Sequence, residues 1–490
     1  MPGGAPPLKQ NGSNGLPDDM VFSSIDFLFL FLPLFLLSQA FIPNRNLTFV
    51  LFSLFFYFVG EGWYTAVVAF SVAANYAFGI LIGDARDAAT RKRVLAASVA
   101  VNLSLLVFFK YAGFLAHSLF GAAPDSWIMQ IHLPLGISFF TFHAISYLVD
   151  IYRRDARAER SFVNLSLYML MFPQLIAGPI LRFHTVAGHL KRRVVTARHV
   201  YYGLTLFCFG LGQKVLLADT LAGVADPLFA RADTLSQATA WLAVVCYTLQ
   251  IFFDFGGYST MAIGLGWVAG FHFPQNFNYP YISQSITEFW RRWHMSLSRW
   301  FRDYLYIPLG GNRNGPLATY RNLMIVFLLC GLWHGAAWTF VLWGAYHGLL
   351  LVVERLGMER LLERSPRVLR HAYTLLAVMI GWVFFRAADI GQAGSLLAKM
   401  FFLDGTVDAD VATVMTGEET AALVAGVLFS MPLARFVTRR LMAVPAPRPW
   451  PRGVAGWRYA AGTVVAAVVL VAASLKIFSG AYSPFIYFRF

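Results

Sequence analysis

Residues 330–348 read CGLWHGAAWTFVLWGAYHG. His334 stands there among aromatic, small and aliphatic residues, and the nearest formal charges are Arg321 upstream and Glu354 downstream. The 33 residues between Arg321 and Arg355 are otherwise uncharged. As one straight helix they would run about 50 Å, against a hydrocarbon core of roughly 30 Å. Arg313 and Arg321 precede the run, and Arg355, Arg360 and Arg364 follow it. Basic flanks at both ends belong on the same, cytoplasmic face. The run is therefore expected to fold as two shorter pieces with the break near His334, setting an imidazole deep in the membrane. Burial favours the neutral imidazole, which is able to accept a proton. Ionisable groups at such depth are rare and mark function. The plainer alternative is a polar residue that ties two helices together. Gly331 and Gly335, astride His334, are expected to leave room for a close approach to the backbone.

The whole chain agrees with a membrane setting. Of its 490 residues 58% are hydrophobic and 13% charged, and the mean hydropathy is +0.58. Soluble domains carry about 25% charged residues. Long apolar runs such as FLFLFLPLFLLSQAFI from residue 27 and AAGTVVAAVVLVAASLKIF from residue 460 indicate an all-α polytopic membrane protein. The alternation of an outer-membrane barrel is missing. Three cysteines, Cys208, Cys246 and Cys330, lie in apolar segments without zinc or redox spacing, and no metal site is expected. The net charge of +14 fits basic cytoplasmic loops rather than nucleic-acid binding. The first 19 residues are polar and carry no cleavable signal pattern, so the helix from Val21 is expected to be retained.

Charge orients the rest. DARDAATRKR (84–93) and RRDARAER (153–160) are basic and cytoplasmic, and GAAPDSW (121–127) lies outside. FVNLSLYMLMFPQLIAGPI (162–180) is apolar between basic flanks and contains Pro173, Gly178 and Pro179. It is expected to enter the membrane and turn back. Segments 200–218 and 239–254 cross outward and inward, joined by a loop with Asp219, Asp226 and Asp233. Residues 272–322 are expected at the cytoplasmic side. A crossing at 372–388, an acidic loop (Asp404, Asp408, Asp410, Glu418, Glu419), and crossings at 421–438 and 459–478 complete about nine to twelve spans.

A second candidate is SITEFWRRWHMSLSRWFRDYLYIPLGGNRNG (285–315). Ser285 and Glu288 fit a capping box that starts a helix. Trp290, His294, Leu297, Phe301 and Tyr304 fall on one face of it, with Arg292, Ser296, Arg299 and Asp303 opposite. Glu288 is spaced to pair with Arg291 or Arg292. An interfacial helix with Trp and Tyr at headgroup depth accounts for most of these residues. The arginines also suit the phosphates of an acyl-donor nucleotide.

These motifs resemble the membrane-bound O-acyltransferase family, in the branch that serves O-acetylation of secreted polysaccharides such as alginate. LPLGISFFTFHAISYLVDIYR (133–153), FPQLIAGPILRF (172–183), FDFGGYSTMAIGLG (253–266), the block FHFPQNFNYPYISQSITEFWRRWHMSLSRWFRDYLYIPLGGNR (271–313), GLWHG (331–335) and SPFIYFRF (483–490) carry the resemblance. It implies a ring of helices around a funnel, with re-entrant or interfacial segments. After a polar tail, 1–20, it implies one integral-membrane acyltransferase domain, 21–490, with the chemistry in about 250–355. The family's essential W-H-G histidine falls on His334, and a second, in an R-W-H-M context, on His294. Trp333, Glu288, Arg291, Arg292, Arg302, Asp303, Tyr304, Asn278 and Tyr281 are the candidate contacts of substrate or donor. The implied donor is acetyl-CoA or another acyl thioester, with no permanently bound cofactor. The implied partners are periplasmic proteins that accept or transfer the acetyl group, besides membrane lipid, and the implied location is the bacterial inner membrane. Asp254-Phe255-Gly256-Gly257 departs from the pattern of relatives, so the resemblance assigns those side chains no role. His143 and His347 are expected to be structural. Two other readings use the same features: a transporter or flippase with its site at the broken segments 162–180 and 322–354, and a non-catalytic scaffold that docks periplasmic enzymes through 404–419.

Overall fold

A computed structural model describes residues 20–176, 178–402, 414–432 and 456–480. Asp404, Asp408 and Asp410, the end of the 421–438 crossing, nearly all of the polar tail and the terminal SPFIYFRF lie outside the described residues. Every regular element among the described residues is helical. The chain opens with α1 (Leu32–Phe41), α2 (Arg45–Glu61) and α3 (Thr65–Asp84). Then come α4 (Ala88–Leu106), a π-helical turn at Val107–Tyr111, α5 (Ala112–Phe120) and α6 (Ile137–Arg153). Short helices α7 (Phe162–Leu170), α8 (Phe172–Leu175) and α9 (Phe183–Lys191) follow. The second half holds α10 (Ala197–Gly212), a π-helical turn at Gln213–Ala218, α11 (Asp219–Ala230) and α12 (Gln237–Val268). After these come α13 (Ile286–Arg292), α14 (Met295–Phe301), α15 (Gly315–His334), α16 (Trp338–Val353), α17 (Glu359–Arg364), α18 (Arg367–Arg386) and α19 (Ile390–Phe401). Helices Gly417–Phe429 and Gly456–Phe478 end the described chain.

Eight helical runs among the described residues are long and apolar enough to cross a membrane. The run Arg45–Asp84 covers 40 residues, about 60 Å if straight, twice the hydrocarbon core. It breaks at Gly62, whose φ of 54° suits glycine. The break leaves Arg45 at one end and the basic loop after Asp84 at the other, as two opposed crossings require. Segment 162–180 turns back as its flanks demand. Helix α7 has nine residues, too few to cross, and α9 returns to pack on α6 and α7.

The deepest packing is a small-residue seam between α10 and α12. A Cβ on Gly203 would sit 2.5 Å from the Gly264 carbonyl, and one on Gly257 would sit 2.7 Å from the Gly210 carbonyl. Such close backbone contact is how membrane helices associate where lipid offers no hydrophobic contrast. One turn further on, buried Lys214 reaches Asp254 at 2.8 Å and Asp219 at 2.5 Å. The expected acidic loop is thereby corrected. Asp219 and Asp226 belong to α11, where Asp226 pairs with Arg386 at 2.8 Å. Asp233 alone of the three occupies the turn before α12.

Of the two readings of 285–315, the interfacial helix does not hold for its first half, which belongs to the core together with Phe271 upstream. Phe271, Ile286, Phe289, Trp293 and Leu297 are buried. Aromatic mass of this size gains more from the protein interior than from a headgroup layer. The single helix splits in two at Trp293 and His294.

Candidate functional site

Helices α15 and α16 form an antiparallel hairpin broken at Gly335–Ala337, so His334 is the last residue of α15. The break lies where charge spacing put it. The glycines do a different job from the one expected. A Cβ on Gly331 would lie 2.2 Å from the Phe340 carbonyl, one on Gly344 2.4 Å from the Phe327 carbonyl, and one on Gly335 2.1 Å from the Phe340 ring. They let the two helices touch, and the space beside them is filled by α16 rather than left for a donor.

The imidazole of His334 is buried among Trp333, Trp343 and Phe385, with ring centroids 4.9, 5.1 and 5.1 Å away. His334 also lines a cavity of about 430 Å³ shared with Trp333, Lys110, Ser138, Glu61 and His132. The walls come from the end of α2, the start of α6 and the end of α15. These ends lie opposite the basic loops at 84–93 and 153–160, the loops that charge assigns to the cytoplasm. At its mouth the half-exposed His132 meets Glu61 at 2.9 Å.

His294 lies differently. It is completely buried at the junction of α13 and α14, in a left-handed conformation (φ 42°, ψ 54°) uncommon for histidine. Asn276 holds the junction. Its Oδ1 contacts His294 Nδ1 at 3.2 Å and accepts from Ser296 N at 3.1 Å and Ser296 Oγ at 2.9 Å. Its carbonyl accepts from Met295 N at 2.8 Å, and Asn278 N donates to the Arg292 carbonyl at 2.9 Å. The segment 276–278 thus takes up backbone groups that the broken helix leaves open. The His294 ring lies 6.1 Å from that of Trp333, and the Trp333 ring lies 4.9 Å from that of His334.

The other predicted contacts fall into two groups, neither of which lines the cavity at His334. In the first, Glu288 pairs with Arg292 at 2.8 Å, and Arg292 Nη1 donates to the Asn278 carbonyl at 3.1 Å. Arg291 points to the surface. Tyr281 donates to the Thr248 carbonyl at 2.5 Å. Only half of the expected capping box forms: Ser285 accepts from Glu288 N at 3.0 Å, but Glu288 takes Gln284 N at 2.9 Å. In the second group Asp303 is gripped by Arg182 and by exposed Arg302. Burial alone would push the Asp303 carboxyl up, but hydrogen bonding and charge from Arg302, then Arg182, hold it below the ordinary carboxylate value. Tyr304 donates to buried Asp150 at 2.7 Å, which also meets His184 Nδ1 at 2.8 Å. Among the described residues no group of three or more His, Cys, Asp or Glu is arranged to hold a metal ion. His143 accepts from Leu181 N at 3.3 Å, and His347 packs between Trp343 and Trp290.

Three residues near the centre escaped the sequence reading. Lys110 and Tyr111 bind carbonyls at the end of α15. Glu354, seen only as a flanking charge, is buried and accepts from Ile286 N, Thr287 N and Thr287 Oγ1 at 2.6, 2.9 and 2.7 Å. A lysine in the apolar run VFFKYAGF was the available signal, since a charge at that depth needs a partner.

Comparison with known proteins gives a match at residues 135–388 to the model of MBOAT, the membrane-bound O-acyltransferase family. A "Probable alginate O-acetylase AlgI" of Azotobacter vinelandii is 43% identical over 96% of this chain and 100% of its own length. A "Peptidoglycan O-acetyltransferase" of Helicobacter pylori is 37% identical over 79% of this chain and 80% of its own. A "Teichoic acid D-alanyltransferase" of Bacillus subtilis is 28% identical over 54% of this chain and 69% of its own.

Proposed function

Since the chain belongs to the membrane-bound O-acyltransferase family, and so is a multi-pass membrane acyltransferase, we propose what it transfers and where. It takes an acetyl group from a cytoplasmic thioester, acetyl-CoA or another acyl thioester, and passes it across the bacterial inner membrane. The acetyl group goes toward O-acetylation of a secreted polysaccharide such as alginate, through periplasmic proteins that accept or transfer it. The likeness to an alginate O-acetylase over nearly the full length supports the acceptor class.

The observation that carries this reading is the cavity that ends on His334 and faces away from the basic loops. A hydroxyl acceptor entering from that side meets an imidazole. His334 takes the hydroxyl proton as the oxygen attacks the thioester carbonyl, and the C–S bond breaks. The proton then passes to the departing thiolate, which restores the neutral base. A positioned base supplies about 10²–10⁴-fold. The ring wall of Trp333, Trp343 and Phe385 keeps water from the thioester. His294 acts behind Trp333, setting the wall against which the donor lies.

The test uses membranes holding the chain and radiolabelled acetyl-CoA. His334→Ala is expected to stop transfer of label to periplasmic protein and glycan while the protein still inserts. His334→Gln fills similar space without usable basicity and is expected to be equally inactive. Full transfer in both variants would refute the assignment. Acceptor flux without any acyl donor would favour a transporter instead.

A further inference from the structure

The last four carbonyls of a helix have no partner within it, and α15 ends inside the protein. Gly331 O accepts from Gly335 N at 3.2 Å. The other three are taken by side chains of one π-helical turn, Val107–Tyr111, more than 200 residues away in sequence. Tyr111 Oη donates to Leu332 O at 2.6 Å. Lys110 Nζ donates to Trp333 O at 2.5 Å and to His334 O at 3.1 Å, with Ser138 Oγ at 3.4 Å. The three hydrogens of an ammonium thus meet three acceptors. The π turn makes this arrangement possible: its extra residue re-aims the helix face, so that neighbouring residues 110 and 111 both reach the end of α15. Such turns occur frequently at functional sites.

We propose that Lys110 is a positioning residue for the acyl transfer, fixing the end of α15 so that the His334 imidazole stays at the cavity wall. The inference rests on the role proposed above for His334. Lys110 itself lines the same cavity, so its side chain sits between the helix end and the space where the acceptor enters. Its grip is on the backbone of Trp333 and His334 and not on their side chains, so its loss shifts the base while the groups that line the cavity stay chemically the same. A displacement of about 1 Å costs on the order of 10²-fold in rate.

The test compares Lys110→Met, which keeps the stem and removes every donor, with Lys110→Arg, which keeps a cation with several. Initial rates of label transfer are measured in membranes over a range of acetyl-CoA, beside inserted amount and melting temperature. Lys110→Met is expected to lower kcat about 10²-fold with a much smaller change in KM for acetyl-CoA, and Lys110→Arg to recover part of that loss. Wild-type kcat in Lys110→Met, or a loss that only follows the amount of folded protein, overturns the proposal. Should Lys110→Met fail to insert, Lys110→Gln replaces it and the same two outcomes decide. His334→Ala is run in parallel. If it too transfers label at the wild-type rate, the reading of His334 fails. If it is inactive while Lys110→Met is unimpaired, only the role of Lys110 fails.

Discussion

His334 and His294 occupy opposite kinds of chain end. His334 closes a long helix whose terminal carbonyls are all taken, and its imidazole faces a cavity. His294 opens a short helix from a left-handed backbone, and its imidazole is sealed on every side. Their sequence contexts are alike, an imidazole following a tryptophan, and do not rank them. Geometry does: of the two, only His334 lines the cavity, while the His294 ring packs 6.1 Å from that of Trp333.

Four substitutions sharpen or break that contrast, beginning with the largest effect. His334→Ala should lower transfer by about 10²–10⁴-fold with insertion intact, measured as label reaching the acceptor. Gly331→Ala should come next. Its Cβ meets a backbone carbonyl at 2.2 Å, so the hairpin must part. Overpacking of this sort costs about 1–3 kcal/mol, visible as a lower melting temperature with activity falling beside it. His294→Asn keeps a residue that tolerates the left-handed backbone but empties the space behind Trp333. A loss of about tenfold, near 1.4 kcal/mol, is expected in kcat. A loss as deep as that of His334→Ala would erase the distinction between the two imidazoles.

The smallest effect belongs to Asp303→Asn, far from the cavity. The folded carboxyl lies below its ordinary value of 3.8, so its contribution is fully present above that value. It is lost as pH falls through the lowered folded pKa. The difference in stability between wild type and variant should therefore vanish in acid. Arg302 is 58% exposed, and solvent screening limits the gain to about 1 kcal/mol or less. Melting curves from pH 7 to well below 3.8 would show it, and a difference that persists unchanged through that range would contradict it.

Legibility followed the range of the interaction. The break after His334 was legible because it follows from counting residues between charges against the width of a bilayer. The break before His294 was not. The Ser285–Glu288 signal and the 3–4 spacing of aromatics run straight through it, and the opposing force comes from Asn276, 18 residues upstream. The glycines beside His334 were noticed, but their neighbour turned out to be α16. Asp219 resembles a loop acid in sequence and is a buried partner of Lys214, because the π turn at 213–218 brings the two together. Lys110 sits inside an apolar run, which signals that it needs a partner, but nothing near it in sequence indicates that the partner is the end of α15.

Glu354 ends α16 and holds the first amides of α13. The histidine hairpin and the arginine-bearing segment are therefore clasped by a single carboxylate. Trp290 of α13 adds ring contacts to Trp343 and His347 of α16, so local opening of one helix end strips the other of its partners. In hydrogen exchange the amides of Ile286 and Thr287 should thus share the protection of the α16 terminus and form one cooperative unit with it. Two stretches that sequence separates into distinct motifs would then yield to solvent as one.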